Sequence, residues 1–150
     1  MIKEILNNID SANHKFDNSQ FKEWAATPAT TKGKIGEDIA AEILMDLGHV
    51  VTQRVSKEHD MVVDGKKVEV KTAFLKKDSD TFSFYGYDAT EDPHYWLYQF
   101  VYPQEIVMVA MTRKDMADIY LGKTRKNQMM TVTMEQMVDA GGMVMGSWSE

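Results

Sequence analysis

Acidic side chains and a lysine are concentrated in one short stretch of the sequence. Residues 58–71 read Glu-His-Asp-Met-Val-Val-Asp-Gly-Lys-Lys-Val-Glu-Val-Lys, with Asp60 before an Asp-Gly pair and Glu69 and Lys71 after it. An Asp-Gly pair between alternating apolar and polar residues is a strong hairpin signal, because a type I′ turn needs positive φ at both central residues. The stretch therefore predicts a β-hairpin that carries carboxylates and a lysine.

The predicted turn fixes which side chains meet across the hairpin. Counting outward from Asp64 and Gly65 sets Asp60 directly opposite Glu69. Cross-strand neighbours have Cβ atoms only about 4.5–5.5 Å apart, and like charges in this relation destabilise a sheet. Lys71 lies on the same face as Glu69, because side chains alternate along a strand. We predict one solvated face with these charges and one face packed into the core, and a cation between the two carboxylates.

A hard divalent cation would resolve this conflict between two carboxylates. Mg²⁺ binds oxygen ligands and is typically held by one or two carboxylates together with substrate phosphate oxygens. In phosphodiester hydrolysis such a metal polarises the phosphoryl oxygen and provides or orients hydroxide. A lysine beside it, here Lys71, adds charge stabilisation or positions the attacking water. The residue types therefore indicate metal-dependent cleavage of a phosphodiester.

A helix over 34–47 is predicted to support the hairpin. It has one apolar stripe and ends at Gly48, a residue suited to a helix C-terminus. Glu37 falls beside the stripe, so its carboxylate can reach past the packed face toward the element on which the helix leans. An acid in a first helical turn is also explained by the helix dipole alone. The stripe consists of Ile35, Ile39, Ala40, Ile43, Leu44 and Leu47.

These motifs together resemble the PD-(D/E)XK nuclease superfamily. Asp60, eight intervening residues and then Glu69-Val70-Lys71 is similar to its signature, and Gly36-Glu37 resembles the helix-borne acid of many members. His59 stands where the motif's name has proline. The resemblance is close over about 33–73 and general over 81–121, where only the order of strands and helices matches.

The resemblance implies an α/β, restriction endonuclease-like core with a mixed central β-sheet flanked by helices. It also implies four catalytic residues, namely Glu37, Asp60, Glu69 and Lys71. Asp60 and Glu69 would bind Mg²⁺, with Mn²⁺ as a substitute, and Lys71 would act on the nucleophilic water. Glu37 would complete the metal site or orient Lys71.

The remaining patterns predict a single domain over 1–150, which the resemblance implies is a nuclease domain. Helices are expected within 1–26, the catalytic core over about 33–121, and a C-terminal helix and tail over 122–150. Capping-box patterns begin helices after Thr112 and after Thr133. Periodicity predicts helices over 2–9 and 19–26, a loop over 27–33, strands over 49–55, 81–86, 95–101 and 105–111, and an acidic loop over 88–93.

Composition narrows the class of protein further. The 150 residues are 43% hydrophobic, enough for one domain with a real core, and the absence of cysteine excludes thiol chemistry and thiolate zinc sites. No apolar run approaches the roughly 18 residues of a membrane span, and the N-terminus lacks a signal-peptide layout, so we expect a soluble cytoplasmic protein without membrane association. No glycine pattern for a nucleotide cofactor occurs.

A net charge of −6 argues against nonspecific coating of nucleic acid, yet local basic groups could still contact DNA. We predict DNA, duplex or branched, as the partner. The sequence does not decide whether Tyr85 and Tyr87 contact bases or pack in the core, whereas Trp96 is expected to pack in the core. The candidate DNA-binding residues are Lys34, Lys66, Lys76, Lys77, Arg113, Arg125 and Lys126, with Lys67, Lys114 and Lys123 nearby. Solubilising surface charge is the alternative for the group from Arg113 onward.

The function expected from these observations is a Mg²⁺-dependent DNA endonuclease of restriction type. A Holliday-junction or repair nuclease is the alternative within that class, because the Gly36-Glu37 helix followed by the Asp60 hairpin also resembles archaeal-type junction resolvases. We expect a homodimer, which would allow both strands to be cut. A noncatalytic DNA- or protein-binding module that keeps the fold is the alternative from another class. A metal-free domain whose hairpin acids face water is the third.

Overall fold

The predicted hairpin is present and supplies two neighbouring strands of the main sheet. The computed structural model describes residues 1–3, 13–56, 59–120 and 129–149, without the side chains of 53–56, 59 and 120. Asp64 and Gly65 have φ of 50° and 81°, as a type I′ turn requires. The predicted register is confirmed at three pairs, which are Met61 with Val68, Val62 with Lys67, and Val63 with Lys66.

Eight strands and four α-helices form the described parts of the chain. The strands are β1 (Val51–Ser56), β2 (His59–Val63), β3 (Lys66–Phe74), β4 (Phe82–Tyr85), β5 (Tyr95–Val101), β6 (Glu105–Met111), β7 (Met129–Val132) and β8 (Met143–Ser149). The helices are α1 (Lys22–Ala25), α2 (Ala29–Asp46), α3 (Arg113–Tyr120) and α4 (Met134–Asp139), with a 3₁₀ turn at His14–Phe16.

The main sheet has six strands in the order β1-β2-β3-β5-β6-β8. β3 and β5 are parallel, and the other neighbouring strands are antiparallel. β4 and β7 pair in a separate two-stranded sheet. The predicted fold class is therefore confirmed as α/β, with a mixed central sheet flanked by helices.

Each face of the main sheet is covered by its own apolar core. Val68 and Val70 of β3 belong to the core under α2, which also contains the aromatic rings of Phe16 and Trp24. On the opposite face, residues of β5 such as Trp96 pack against β4, β7 and the two C-terminal helices. The sheet is thus buried on both sides at its centre, as expected for strands that pair in parallel.

The solvated hairpin face that the sequence predicted is not present. Glu69 is only 8% exposed, because the second core covers the face on which it lies. The alternation of side chains was predicted correctly, but the layer that covers them could not be inferred from the hairpin alone. The three charged side chains are therefore partly buried, with Glu69 buried and Asp60 and Lys71 half-buried.

The loop expected over 27–33 is also wrong. α2 begins at Ala29, directly after Pro28, whose φ of −59° and ψ of 154° bring the extended chain into the helix. The indole Nε1 of Trp24 donates a hydrogen bond to the carbonyl of Lys32 at 3.0 Å, so the first turns of α2 are held against α1. The helix ends as predicted, with Gly48 at φ 93°.

Several other boundaries differ from those predicted. Leu47 is 54% exposed, and the buried stripe of α2 instead runs through Gly36, Ala40, Ala41, Ile43 and Leu44. The C-terminal tail contains the edge strand β8, which pairs with β6 across a register irregularity that obscured its periodicity. Both predicted capping boxes are confirmed.

The helix predicted over 2–9 lies mostly outside the described residues. Among the residues that are described, no helix is both long enough and apolar enough to span a membrane.

Candidate functional site

The side chain of Asp60, on β2, accepts a hydrogen bond from the backbone of β3. Its Oδ2 accepts a hydrogen bond from the amide of Val70 at 2.7 Å. The side chain is half-buried, so the bond is shielded from water. This contact holds the Asp60 carboxylate at the stretch of β3 between Glu69 and Lys71.

Glu69 shares a hydrogen bond with Asp60, and the two acids lie on one face of the hairpin. Burial, followed by the charges of Asp60 and Glu91, raises the pKa of Glu69 to about 8, while Lys71 acts in the opposite direction. Two carboxyl groups so close together cannot both ionise easily when no cation is near, which favours the protonated form of Glu69. The predicted meeting of Asp60 and Glu69 is thus observed.

Lys71 is half-buried and lies two residues beyond Glu69 on the same strand face. Its ammonium group is close enough to favour the charged form of Glu69. The structure therefore brings together three of the predicted site residues, which are two acids at hydrogen-bonding distance and one lysine. Such a group can neutralise a cation and also contact an anionic substrate.

Glu37 approaches the same strand from the other face of the sheet. α2 touches β3 where Gly36 meets Thr72, and these two residues are the chain neighbours of Glu37 and Lys71. The Glu37 side chain is 14% exposed, and its Oε2 lies 3.8 Å from Nζ of Lys34. α2 thus carries Glu37 to the same stretch of β3 as Lys71, and its role in the site stays a prediction.

Glu91 is an acid of the site that sequence reasoning missed. It lies in the loop between β4 and β5, and its charge contributes to the raised pKa of Glu69. Its Oε2 is buried and has no hydrogen-bond partner among the residues that the structure describes. The sequence marked 88–93 only as an acidic loop, and the parallel pairing of β5 with β3 is what brings this loop to the site.

Arg113, a candidate DNA-binding residue, holds the Glu91 loop in place. Its guanidinium donates to the carbonyls of Ala89 and Glu91, and it lies 3.4 Å from Oδ1 of Asp92. The guanidinium also lies over the ring of Trp96, 5.6 Å from the centroid. Contact with a phosphate would therefore compete with these interactions, and a structural role at the loop is what the geometry shows.

The other candidate DNA-binding residues lie apart from each other. Lys66, Lys76 and Lys77 are exposed near the two ends of β3. Lys34 is ion-paired with Asp38 at 3.2 Å on the surface of α2. Lys123, Arg125 and Lys126 lie outside the described residues.

The aromatic side chains near the site divide clearly between surface and core. Tyr85 is 62% exposed at the end of β4, whereas Tyr87 is 5% exposed and Trp96 is fully buried. The expectation that Trp96 packs is confirmed. Of these three rings, Tyr85 is the one with an exposed surface.

The donor set fits Mg²⁺ in its chemistry. Asp60 and Glu69 offer two carboxylates, and Mg²⁺ sites often use that number with the remaining positions filled by water and substrate phosphate. Within the described residues, no group of three or more His, Cys, Asp or Glu side chains is arranged to hold a metal by itself. The protein would therefore supply a partial shell that the substrate completes.

Comparison with known proteins gives a structural likeness. The fold is similar to that of the bacterial homing endonuclease I-Ssp6803I, with a TM-score of 0.50 and 16% sequence identity over 71% of this chain and 75% of that chain. No protein-family model matches the sequence, and no curated protein matches it significantly. At this identity the likeness shows a shared nuclease-like fold and does not transfer residue roles.

Proposed function

We propose that this protein is a Mg²⁺-dependent DNA endonuclease of the PD-(D/E)XK type. The observation that carries the proposal is the hydrogen-bonded pair of Asp60 and Glu69 beside Lys71. A buried acid pair costs folding free energy unless a proton or a cation lies between the carboxylates. A protein that retains such a pair next to a lysine has the residues that metal-assisted hydrolysis needs.

Each residue of the site has a role that its position supports. Asp60 and Glu69 would hold the metal, which when bound would activate water and stabilise charge on the phosphate. Lys71 would orient the attacking water or stabilise the charge that develops on the phosphoryl oxygens. Glu37 would complete the site or hold Lys71 in position from the α2 side.

The likeness to a protein named as a homing endonuclease supports an endonuclease activity, and we propose DNA as the substrate. We propose a restriction-type role, with cleavage of four-way junctions or repair substrates as the alternative. A homodimer would place one site on each strand of a duplex. Exposed lysines near both ends of β3, Lys66 and Lys76, would contact the phosphates.

The proposal is tested by incubating the protein with supercoiled plasmid, linear duplex and a four-way junction. We expect nicking or cutting with Mg²⁺ or Mn²⁺ and none with EDTA. Asp60→Asn should reduce the cleavage rate by about 10²-fold or more, because it removes one of two charged metal ligands. Titration calorimetry with Mn²⁺ should show binding to the wild-type protein that Asp60→Asn weakens.

Glu105→Gln is the matched control, because Glu105 is an exposed acid at the start of β6. It should leave both cleavage and Mn²⁺ binding unchanged. Failure of the wild-type protein to cleave any of the three substrates would refute the endonuclease assignment. Cleavage of the junction alone would reject the restriction-type role and favour the alternative.

A further inference from the structure

Gln99 is a fully buried polar residue at the centre of β5. On its strand face it stands between Leu97 and Val101, two residues of the apolar core under α2. Its Nε2 donates to the carbonyl of Gly36 at 2.9 Å and to Oγ1 of Thr72 at 3.1 Å. Because a carbonyl oxygen only accepts, the Gly36 contact determines which end of the amide is the donor.

Gly36 has no side chain, and this lets α2 lie close to β3. A Cβ built on residue 36 would be 2.3 Å from Oγ1 of Thr72 and 3.3 Å from Nε2 of Gln99. Any residue larger than glycine would push the helix away from the strand. Gly36, Thr72 and Gln99 therefore form one tie between α2, β3 and β5.

Packing alone does not explain a glutamine at position 99. Burial of an amide whose hydrogen bonds are incomplete costs roughly 1–3 kcal/mol, whereas an apolar side chain of the same size costs nothing of this kind. The Oε1 of Gln99 has no hydrogen-bond partner in the part of the chain that is described. Gln99 therefore lowers the stability of an apolar core, and a role in positioning the groups that it binds explains its presence better than packing does.

We propose that Gln99 is a positioning residue for the nuclease site. It ties Gly36 to Thr72, and the chain neighbours of these two residues are Glu37 and Lys71. The tie thereby fixes the height and rotation of Glu37 relative to Lys71 across β3. This inference rests on the proposed endonuclease function and names a further residue that the function requires.

Gln99→Met tests the role, because methionine keeps the length of glutamine and removes both hydrogen bonds. Displacement of a catalytic group by about 1 Å can cost on the order of 10²-fold in rate. We expect kcat for plasmid cleavage to fall about 10- to 100-fold, with KM for DNA unchanged within about twofold. Leu97→Met, on the same strand and face, is the control that should retain full kcat.

A double-mutant cycle distinguishes positioning through Glu37 from a general loss of packing. If Gln99 acts through Glu37, Gln99→Met should cause little further loss of kcat in a Glu37→Gln background. Losses that multiply would overturn the proposal. Thr72→Val is a second variant that removes one of the two acceptors, and it carries the same test if Gln99→Met does not fold.

A measurement without metal or DNA complements the kinetics. In EDTA, amide hydrogen exchange in the first half of α2 should be faster for Gln99→Met than for Leu97→Met. The rates are compared at the same interval below the melting temperature of each variant, so that a difference in global stability does not contribute. Equal exchange in the two variants would contradict the tie. Full cleavage by Gln99→Met would overturn this inference alone, whereas absence of cleavage by the wild-type protein would overturn the proposed function and this role with it.

Discussion

The two faces of β3 are built from the same nine-residue strand and differ in what they bury. The face toward α2 buries Val68 and Val70 in an apolar core. The opposite face buries Glu69 next to a second apolar core, where burial helps raise its pKa to about 8. Both faces are shielded from water, but only one retains ionisable groups at the expense of folding free energy.

This difference separates structural from functional requirements along one strand. The side chains that pack under α2 are mostly apolar. The buried amide of Gln99, on the neighbouring strand β5, is a polar exception in that core. An acid pair on the other face reduces stability and has no packing role that an apolar pair could not fill. Strongly shifted pKa values of this kind cluster at functional sites.

Lys71→Ala is expected to have the largest effect on cleavage, and it tests whether the charged face of β3 carries the catalytic groups. Removal of a charge that stabilises the transition state typically costs about 10²–10³-fold in kcat. We expect a loss of this size in plasmid cleavage, with DNA affinity in Ca²⁺ changed by less than about threefold, since Lys71 contributes to the chemistry more than to binding. Gel-based cleavage assays and fluorescence anisotropy would measure the two quantities.

Lys67→Ala is the matched control for Lys71→Ala. Lys67 lies on the same face of β3, four residues earlier, and is exposed near the turn. It should keep nearly full kcat. An equal loss of kcat in both variants would show that the charge of the whole face matters, and would remove the special role of Lys71.

The local part of the site was predictable from the sequence for a physical reason. The turn at Asp64 and Gly65 determines the hairpin register, and the register determines that Asp60 and Glu69 share a face. The contacts involved span few residues of chain. Side-chain periodicity therefore contains the information needed to place them.

The nonlocal part could not be predicted in the same way. Gln99 contacts Gly36 across 63 residues of sequence, and Glu91 reaches the site only because β5 lies parallel to β3. The sequence also gave no sign of β7 and β8 as strands, since β7 has four residues and β8 contains a register irregularity. The layer that buries Glu69 depends on such elements, which is why a solvated face was wrongly expected.

The next effect concerns stability and follows from the raised pKa of Glu69. Because the folded protein binds this proton more tightly than the unfolded chain, stability is highest below the unfolded pKa near 4.5 and falls as pH rises to about 8. Each unit of such a difference is worth about 1.4 kcal/mol, and we expect a loss on the order of 2 kcal/mol, because Asp60 and Lys71 are half-exposed and solvent screens the charges around Glu69. Calorimetry in EDTA at several pH values measures it.

Glu69→Gln should remove most of this pH dependence, because the amide cannot ionise. Glu105→Gln, at an exposed position, should retain the wild-type slope. Addition of Mn²⁺ at pH 8 should restore stability to the wild-type protein, because the cation would take the place of the proton on Glu69. A slope of the opposite sign in the wild-type protein would show that Glu69 is ionised in the folded state without a cation.

The smallest effect is expected from Glu91→Gln, and it tests whether the loop before β5 belongs to the site. Glu91 raises the pKa of Glu69 by its charge, less strongly than Asp60 does. Glu91→Gln should therefore move the midpoint of the pH dependence of stability to lower pH, and by less than Asp60→Asn does. Asp92→Asn, in the same loop and 95% exposed, is the control that should leave the midpoint unchanged. An equal shift for both loop variants would show that the loop acts through its total charge, and the site would then end at the hairpin and α2.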